Sequence, residues 1–195
     1  MARARCARQL GLACPGIDIL VVCTANQCRS PMGEAILRRR LAERGLSANI
    51  GSAGFLPGGA PATNDAIATM AEDGLDITAH RSRTVSPEVA GAAELIVTMT
   101  RQHVAELAMV APEAWARAFP LPDLVRRADG AGRRLPDQSL PAWVATLGRG
   151  RTPGEILAGR PGDDIDDPIG RPRRAYQRTA RTLDELLTRL ATLLA

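Results

Sequence analysis

A short β-branched apolar run that breaks into a polar turn and then a proline-led helix constrains this chain more than any other feature. The run is IDILVV at 17–22, the turn is CTANQCRS at 23–30, and Pro31 opens the helical pattern. An apolar strand without polar alternation belongs in a parallel sheet buried on both faces. Proline at a first helical position, with Ser30 just ahead of it, is a helix-start signal. Met32, Ala35, Ile36 and Leu41 then give the helix an inward face as far as Arg44. The rhythm repeats: a strand is expected over 48–52, a helix over 62–73 closed by Gly74, and a short helix over 86–91. A strand over 95–98 (LIVT), a helix over 101–110 and a fourth strand over 115–121 follow. The last segment, 175–194, places Leu183, Leu186, Leu187, Leu190 and Leu194 on one face of a long amphipathic helix. Alternating strands and helices predict an α/β domain, a parallel sheet covered on both sides.

Two stretches stand outside this rhythm. Residues 1–16 read as a basic N-terminal tail, without an apolar stretch long enough for a signal peptide. Residues 123–162 are rich in Pro, Gly and Arg, with helical pattern only over 140–147 around Trp143. They read as an insertion of about that extent in a domain spanning 17–195, since so long a stretch with little pattern is uncommon in a compact domain.

Composition excludes several classes of function. No apolar run approaches the ~18 residues that cross a membrane, so no membrane partner and a cytoplasmic location are expected. The net charge is +4 and all 25 basic residues are Arg, scattered along the chain. Without a dense patch and interleaved aromatics, nucleic acid is not an expected partner. The four cysteines, Cys6, Cys14, Cys23 and Cys28, all fall in the first 28 residues, which argues against a disulfide framework. Zinc-ligand spacing is absent and the only histidines are His80 and His103, so neither a metal nor another cofactor is expected.

The turn at 23–30 carries the chemistry. Five residues between Cys23 and Arg29 can curl so that the backbone N–H groups of Thr24, Ala25, Asn26, Gln27 and Cys28 converge at a helix N-terminus, an anion site. Arg29 closes the ring and can hold two phosphate oxygens at once. The same positive surroundings favour thiolate at Cys23. One segment therefore supplies a nucleophile and a phosphate cradle that includes Ser30.

ILVVCTANQCRSPMGEAILRR resembles the opening of the low-molecular-weight protein tyrosine phosphatases, and Asp166-Asp167-Pro168 resembles that family's Asp-Pro pair near the C-terminus. Ser52-Ala53-Gly54 and Thr78-Ala79-His80 resemble further family segments, so the likeness covers 17 to about 121 and 163–195. The resemblance implies a three-layer sandwich around a four-stranded parallel sheet, phosphatase I-like, that works without metal. It implies phosphomonoester hydrolysis, as a protein-tyrosine-phosphatase, through a phosphocysteine on Cys23. Arg29 would clamp phosphate, Ser30 would hydrogen-bond the thiolate, and Asn26, Ser52 and His80 would brace the loop. Asp167 would serve as general acid and then general base.

Departures from the family pattern set the alternatives. Ala25 replaces the usual Gly, which would strain the loop if that position needs positive φ. Phe55 can supply one wall of the substrate cleft, but Ile169 and Gly170 stand where further aromatics are usual. Gln27 matches neither the apolar residue of tyrosine-directed members nor the Thr of protein arginine phosphatases. Thr100 stands where an Asp is common. The partner that the resemblance implies is a phosphotyrosine protein, and these departures set phosphoarginine or a small phosphorylated metabolite beside it as alternatives. A non-catalytic phospho-ligand module is disfavoured because Cys, Arg and acid are all present. Cys28 is the redox candidate, able to form a protective disulfide with Cys23; Cys6 and Cys14 read as inert tail thiols.

Overall fold

In the computed structural model, residues 17–195 are described; the basic tail expected over 1–16, with Cys6 and Cys14, lies outside them. Four strands form one parallel sheet in the order β2-β1-β3-β4. They are β1 (Ile17–Cys23), β2 (Ala48–Gly54), β3 (Leu95–Thr98) and β4 (Ala118–Pro120). The helices are α1 (Arg29–Ala42), α2 (Asn64–Glu72), α3 (Pro87–Gly91), α4 (Arg101–Val110), α5 (Leu121–Ala131), α6 (Leu140–Leu147), α7 (Pro153–Ala158) and α8 (Arg173–Leu194). A 3-10 turn, Pro112–Arg117, precedes β4.

The strand period of two divides the core into two apolar layers. Ile19, Val21 and Cys23 of β1, Leu95 and Val97 of β3, and Phe119 of β4 face one side, where Met32, Ile36, Leu37 and Leu41 of α1 and Leu183, Leu187 and Leu190 of α8 cover them. Leu20, Val22, Ile96 and Ala118 face the other, packed by Val104 and Leu107 of α4 with Ala90 of α3. The three expected layers follow from this alternation.

Three boundaries differ from expectation in ways that matter. First, α1 begins at Arg29, two residues before Pro31, with Met32 N–H bonded to the Cys28 carbonyl. The arginine of the turn is therefore the first helical residue. Second, the fourth strand is only Ala118–Pro120; Trp115 belongs to the 3-10 turn, and Leu121 already starts α5. Pro120 has no N–H to extend the ladder and Pro122 suits a helix's first turn, so the switch is immediate. Third, the segment 123–162 holds the helix expected over 140–147, as α6, but also α7 and most of α5. Leu121, Leu124, Val125 and Ala128 of α5 recur at helical spacing and are all buried. The intervening Asp123, Arg126 and Arg127, followed by Asp129 and Gly130, hide that stripe in the composition.

Candidate active site

The segment 23–30 joins the C-terminal end of β1 to the N-terminus of α1, at the centre of the sheet. Three of its carbonyls are drawn outward by surrounding donors. The Thr24 carbonyl accepts from Phe55 N–H (2.7 Å) and Leu56 N–H (3.2 Å), that of Gln27 from Thr63 N–H (2.8 Å), and that of Asn26 from the His80 ring Nε2 (2.7 Å). Because each peptide unit is planar and trans, a carbonyl turned out directs the next N–H in. The loop so becomes a concave array of N–H donors at the start of a helix. The turn residue with positive φ is Asn26 (φ 52), and it is the only such non-glycine among the described residues. The strain anticipated for Ala25 therefore does not arise; asparagine is among the residues that tolerate this conformation. The chain must also pass very close to β2. A Cβ on Gly54 would lie 2.7 Å from both Asn26 N and Thr24 O, so the Ser-Ala-Gly segment ends in the one residue that fits.

Asn26 is wholly buried and fully bonded. Its Oδ1 accepts from Arg83 N–H (2.9 Å), and its Nδ2 donates to Ser30 Oγ and Ser52 Oγ, each at 2.8 Å. The Arg83 N–H fixes the orientation of the amide. Ser52 in turn lies 2.6 Å from Glu34 Oε2, a carboxylate that can only accept, so the Ser52 hydroxyl donates there. Ser30 Oγ already accepts from Asn26, and its own proton goes to the nearer of two acceptors. Those are Cys23 Sγ at 3.0 Å and the Ala53 carbonyl at 3.5 Å. A directed chain thus runs from Glu34 through Ser52, Asn26 and Ser30 to an O–H aimed at the sulfur. Glu34 is a member that sequence reasoning missed; its i,i+4 pairing with Arg38 gives it the look of an ordinary surface glutamate.

Arg29 is nearly buried. Its Nη1 donates to the Ile165 carbonyl (3.2 Å), and its Nη2 to Thr24 Oγ1 (3.3 Å) and Asp167 Oδ2 (2.5 Å). The 163–167 segment is anchored by Ile165 N–H on the Met99 carbonyl at the end of β3. Of its four aspartates, Asp167 alone meets the cysteine loop. Burial tends to push the carboxyls of Asp163 and Asp164 up, but bonds to Arg126 and Arg101 respectively outweigh it and hold both below the usual range. Asp166 is exposed, and its carbonyl accepts from Thr179 Oγ1.

Cys28 is buried beneath the loop, and burial first, then the charges of Cys23 and Asp167, push its thiol well above the ordinary range. Phe55 does not stand free as a cleft wall. Its ring stacks on His103, with centroids 5.8 Å apart. The exposed apolar residues on these two loops are Leu56 and Ile169, 47% and 45% exposed. His103, on α4, was legible only as one of two histidines; its Nε2 lies 3.0 Å from Thr24 Oγ1. Thr100, at the position where an Asp is common, caps α4 by accepting from His103 N–H. Among the described residues no cluster of three or more His, Cys, Asp or Glu could hold a metal ion, and no helix is long and apolar enough to cross a membrane.

Residues 18–139 match the family model described as low molecular weight phosphotyrosine protein phosphatase. That match runs on through α5, into the stretch read as an insertion. The protein is 34% identical over 144 residues to the low molecular weight protein-tyrosine-phosphatase Etp of Escherichia coli K12, covering 68% of this chain and 95% of Etp. It is 28% identical over 176 residues to a protein-arginine-phosphatase of Bacillus subtilis, covering 90% and 95% of the two chains. The crystal structure of a low molecular weight protein tyrosine phosphatase from T. tengcongensis superposes with a TM-score of 0.69 at 27% identity, covering 92% of this chain and all of that one.

Proposed function

The chain belongs to the low molecular weight phosphotyrosine protein phosphatase family, a family of cysteine-dependent phosphatases, and on that premise we propose the part each residue plays in the reaction. Cys23 attacks phosphorus as the thiolate and forms a P–S bond while the bond to the leaving oxygen breaks. The released electron pair takes a proton from Asp167. Water then attacks the phosphocysteine, giving a proton back to Asp167, and the thiolate departs with inorganic phosphate as the product. The loop N–H groups and Arg29 hold the three phosphoryl oxygens throughout. The observation that carries this reading is the Ser30 hydroxyl 3.0 Å from Cys23 Sγ, with its proton directed to sulfur by the chain from Glu34. A hydrogen bond to the thiolate stabilises it as nucleophile in the first step and as leaving group in the second.

The Arg29–Asp167 pair supports a coupling of binding to acid catalysis. A phosphoryl oxygen competes with Asp167 Oδ2 for one of the two Nη2 hydrogens, the other being held by Thr24 Oγ1. A phosphate dianion that takes that hydrogen releases the carboxyl at the mouth of the cradle, where the leaving atom lies.

Phosphotyrosine on a protein is the proposed substrate. One observation favours phosphoarginine as the second reading. Phe55 is turned onto His103, and Ile169 is aliphatic, so the mouth lacks the paired aromatic walls that grip a phenyl ring. Turnover of an aryl phosphate, a phosphotyrosine peptide and a phosphoarginine peptide is measured side by side, in chelator, for wild type and Cys23→Ser. Cys23→Ser is expected to lose turnover of all three while still binding inorganic phosphate. Residual turnover above a few per cent would exclude the phosphocysteine, and the ratio of the two peptides decides the substrate.

A further inference from the structure

Thr24 Oγ1 has two neighbours, His103 Nε2 at 3.0 Å and Arg29 Nη2 at 3.3 Å. A guanidinium only donates, so Arg29 occupies one lone pair of the hydroxyl. The tautomer of His103 decides what becomes of the rest. The ring is 4% exposed, its Nδ1 is buried without a partner among the described residues, and its face is closed by Phe55. If Nδ1 carried the proton, a buried N–H would be orphaned, the rarest kind of unsatisfied group; a bare Nδ1 lone pair is the better tolerated state. The proton therefore sits on Nε2 and is donated to Thr24. Burial first, and then the charge of Arg29, hold the ring neutral down to about pH 4, so the second ring nitrogen stays unprotonated.

With both lone pairs of Oγ1 occupied, the Thr24 hydroxyl has only its proton left to offer. Thr24 is an exposed residue beside the Nη2 that also faces Asp167, so that proton is presented at the mouth of the cradle. We propose that the Thr24 hydroxyl donates a hydrogen bond to a phosphoryl oxygen of the bound substrate, and that His103 is the positioning residue that commits it to this role and fixes Arg29 beside it. The contact lies outside the backbone nest. It serves any phosphorylated substrate alike, because the phosphoryl oxygens are common to phosphotyrosine and phosphoarginine.

The proposal rests on Arg29 as the phosphate clamp, and the test separates the two. The variants are Thr24→Val, His103→Phe (which keeps the stack on Phe55), His103→Gln (which restores an N–H donor), the Thr24→Val/His103→Phe double variant, and Arg29→Ala. The readouts are kcat and KM on an aryl phosphate and Ki for inorganic phosphate, with the unfolding midpoint of each variant. Thr24→Val and His103→Phe should each raise Ki and lower kcat/KM by about 10-fold, the scale of one hydrogen bond to a charged group. The double variant should be no worse than the poorer single one, because both remove the same bond. His103→Gln should recover most of the loss. Nitrogen NMR of the histidine rings should place the His103 proton on Nε2. Unchanged Ki in Thr24→Val, multiplying losses in the double variant, or a proton on Nδ1 would each overturn the proposal. Thr24→Val decides it even if His103→Phe does not fold, since position 24 is exposed. Retained phosphate binding in Arg29→Ala would instead remove the clamp assignment, and with it the premise.

Discussion

Replacing His103 by Gln should flatten the acid limb of this protein's stability. The imidazole is buried between the cysteine loop and α4, against Phe55. Burial is the larger cause and the Arg29 charge the smaller one that lower its pKa from 6.5 to about 4; Asp167 and Asp164 oppose them weakly. The sign follows from which state binds the proton first. As pH falls through the unfolded value, the unfolded chain takes up a proton that the folded chain refuses until about pH 4. The neutral ring's contribution is therefore complete above the unfolded pKa and is lost as pH drops toward the folded one. A gap of roughly 2.5 units at 1.36 kcal/mol each corresponds to about 3 kcal/mol in total, of which about 2 kcal/mol is lost between about pH 7 and pH 5. Urea unfolding of wild type and His103→Gln at those two pH values measures this directly, each variant serving as its own reference so that the baseline cost of the substitution cancels. Wild type should lose about 2 kcal/mol more than His103→Gln across the interval, with an unchanged dependence on denaturant. Equal losses in the two proteins would show that His103 titrates normally, and would refute the burial argument that keeps it neutral.

Two further outcomes follow from the site. Asp167→Asn should cost about 10²–10⁴ in rate on an aryl phosphate with a basic leaving oxygen and little on an electron-poor analogue; an equal loss on both would make Asp167 structural, and a larger loss in Asp166→Asn would move the acid by one position. Peroxide should inactivate the enzyme reversibly through a Cys23–Cys28 disulfide, since the buried Cys28 thiol lies under the loop that holds Cys23. Full recovery by thiol reductant in wild type, with permanent loss in Cys28→Ser, supports this, and equal recovery in both sinks it.

The parts of the site that the sequence disclosed are those held together by neighbours in the chain. A β-branched run, a five-residue gap between Cys23 and Arg29, and a proline near a helix start are local facts, and each fixes backbone geometry by itself. They place the loop, its cysteine and its arginine without knowledge of the rest of the fold. The same locality misled at Ala25. The conformational demand belongs to the next residue, Asn26, and only the outward bonds from Phe55, Thr63 and His80 show which peptide is turned.

What was missed divides by physical cause. Helix α5 has its apolar stripe in plain order at Leu121, Leu124, Val125 and Ala128, but the Arg and Asp between those positions, and Asp129 and Gly130 after them, dominate the composition. The stripe is nonetheless present in the sequence as periodicity, where charge content conceals it. His103 is different in kind. A lone histidine on a helix carries no mark of its partner, and Thr24 is 79 residues away in the chain. The two meet because parallel strands must be joined by crossovers, which bring the start of the helix after β3 beside the loop after β1 at the same end of the sheet. Glu34 and Ser52 are brought together in the same way, from α1 and the neighbouring strand β2. Residues that do chemistry on one loop can be named from spacing, whereas residues that orient them from adjacent crossovers become visible only once strand order is known. The order β2-β1-β3 sets β1 between its two partners, so the cysteine loop necessarily receives its bracing from β2 on one side and from α4 on the other.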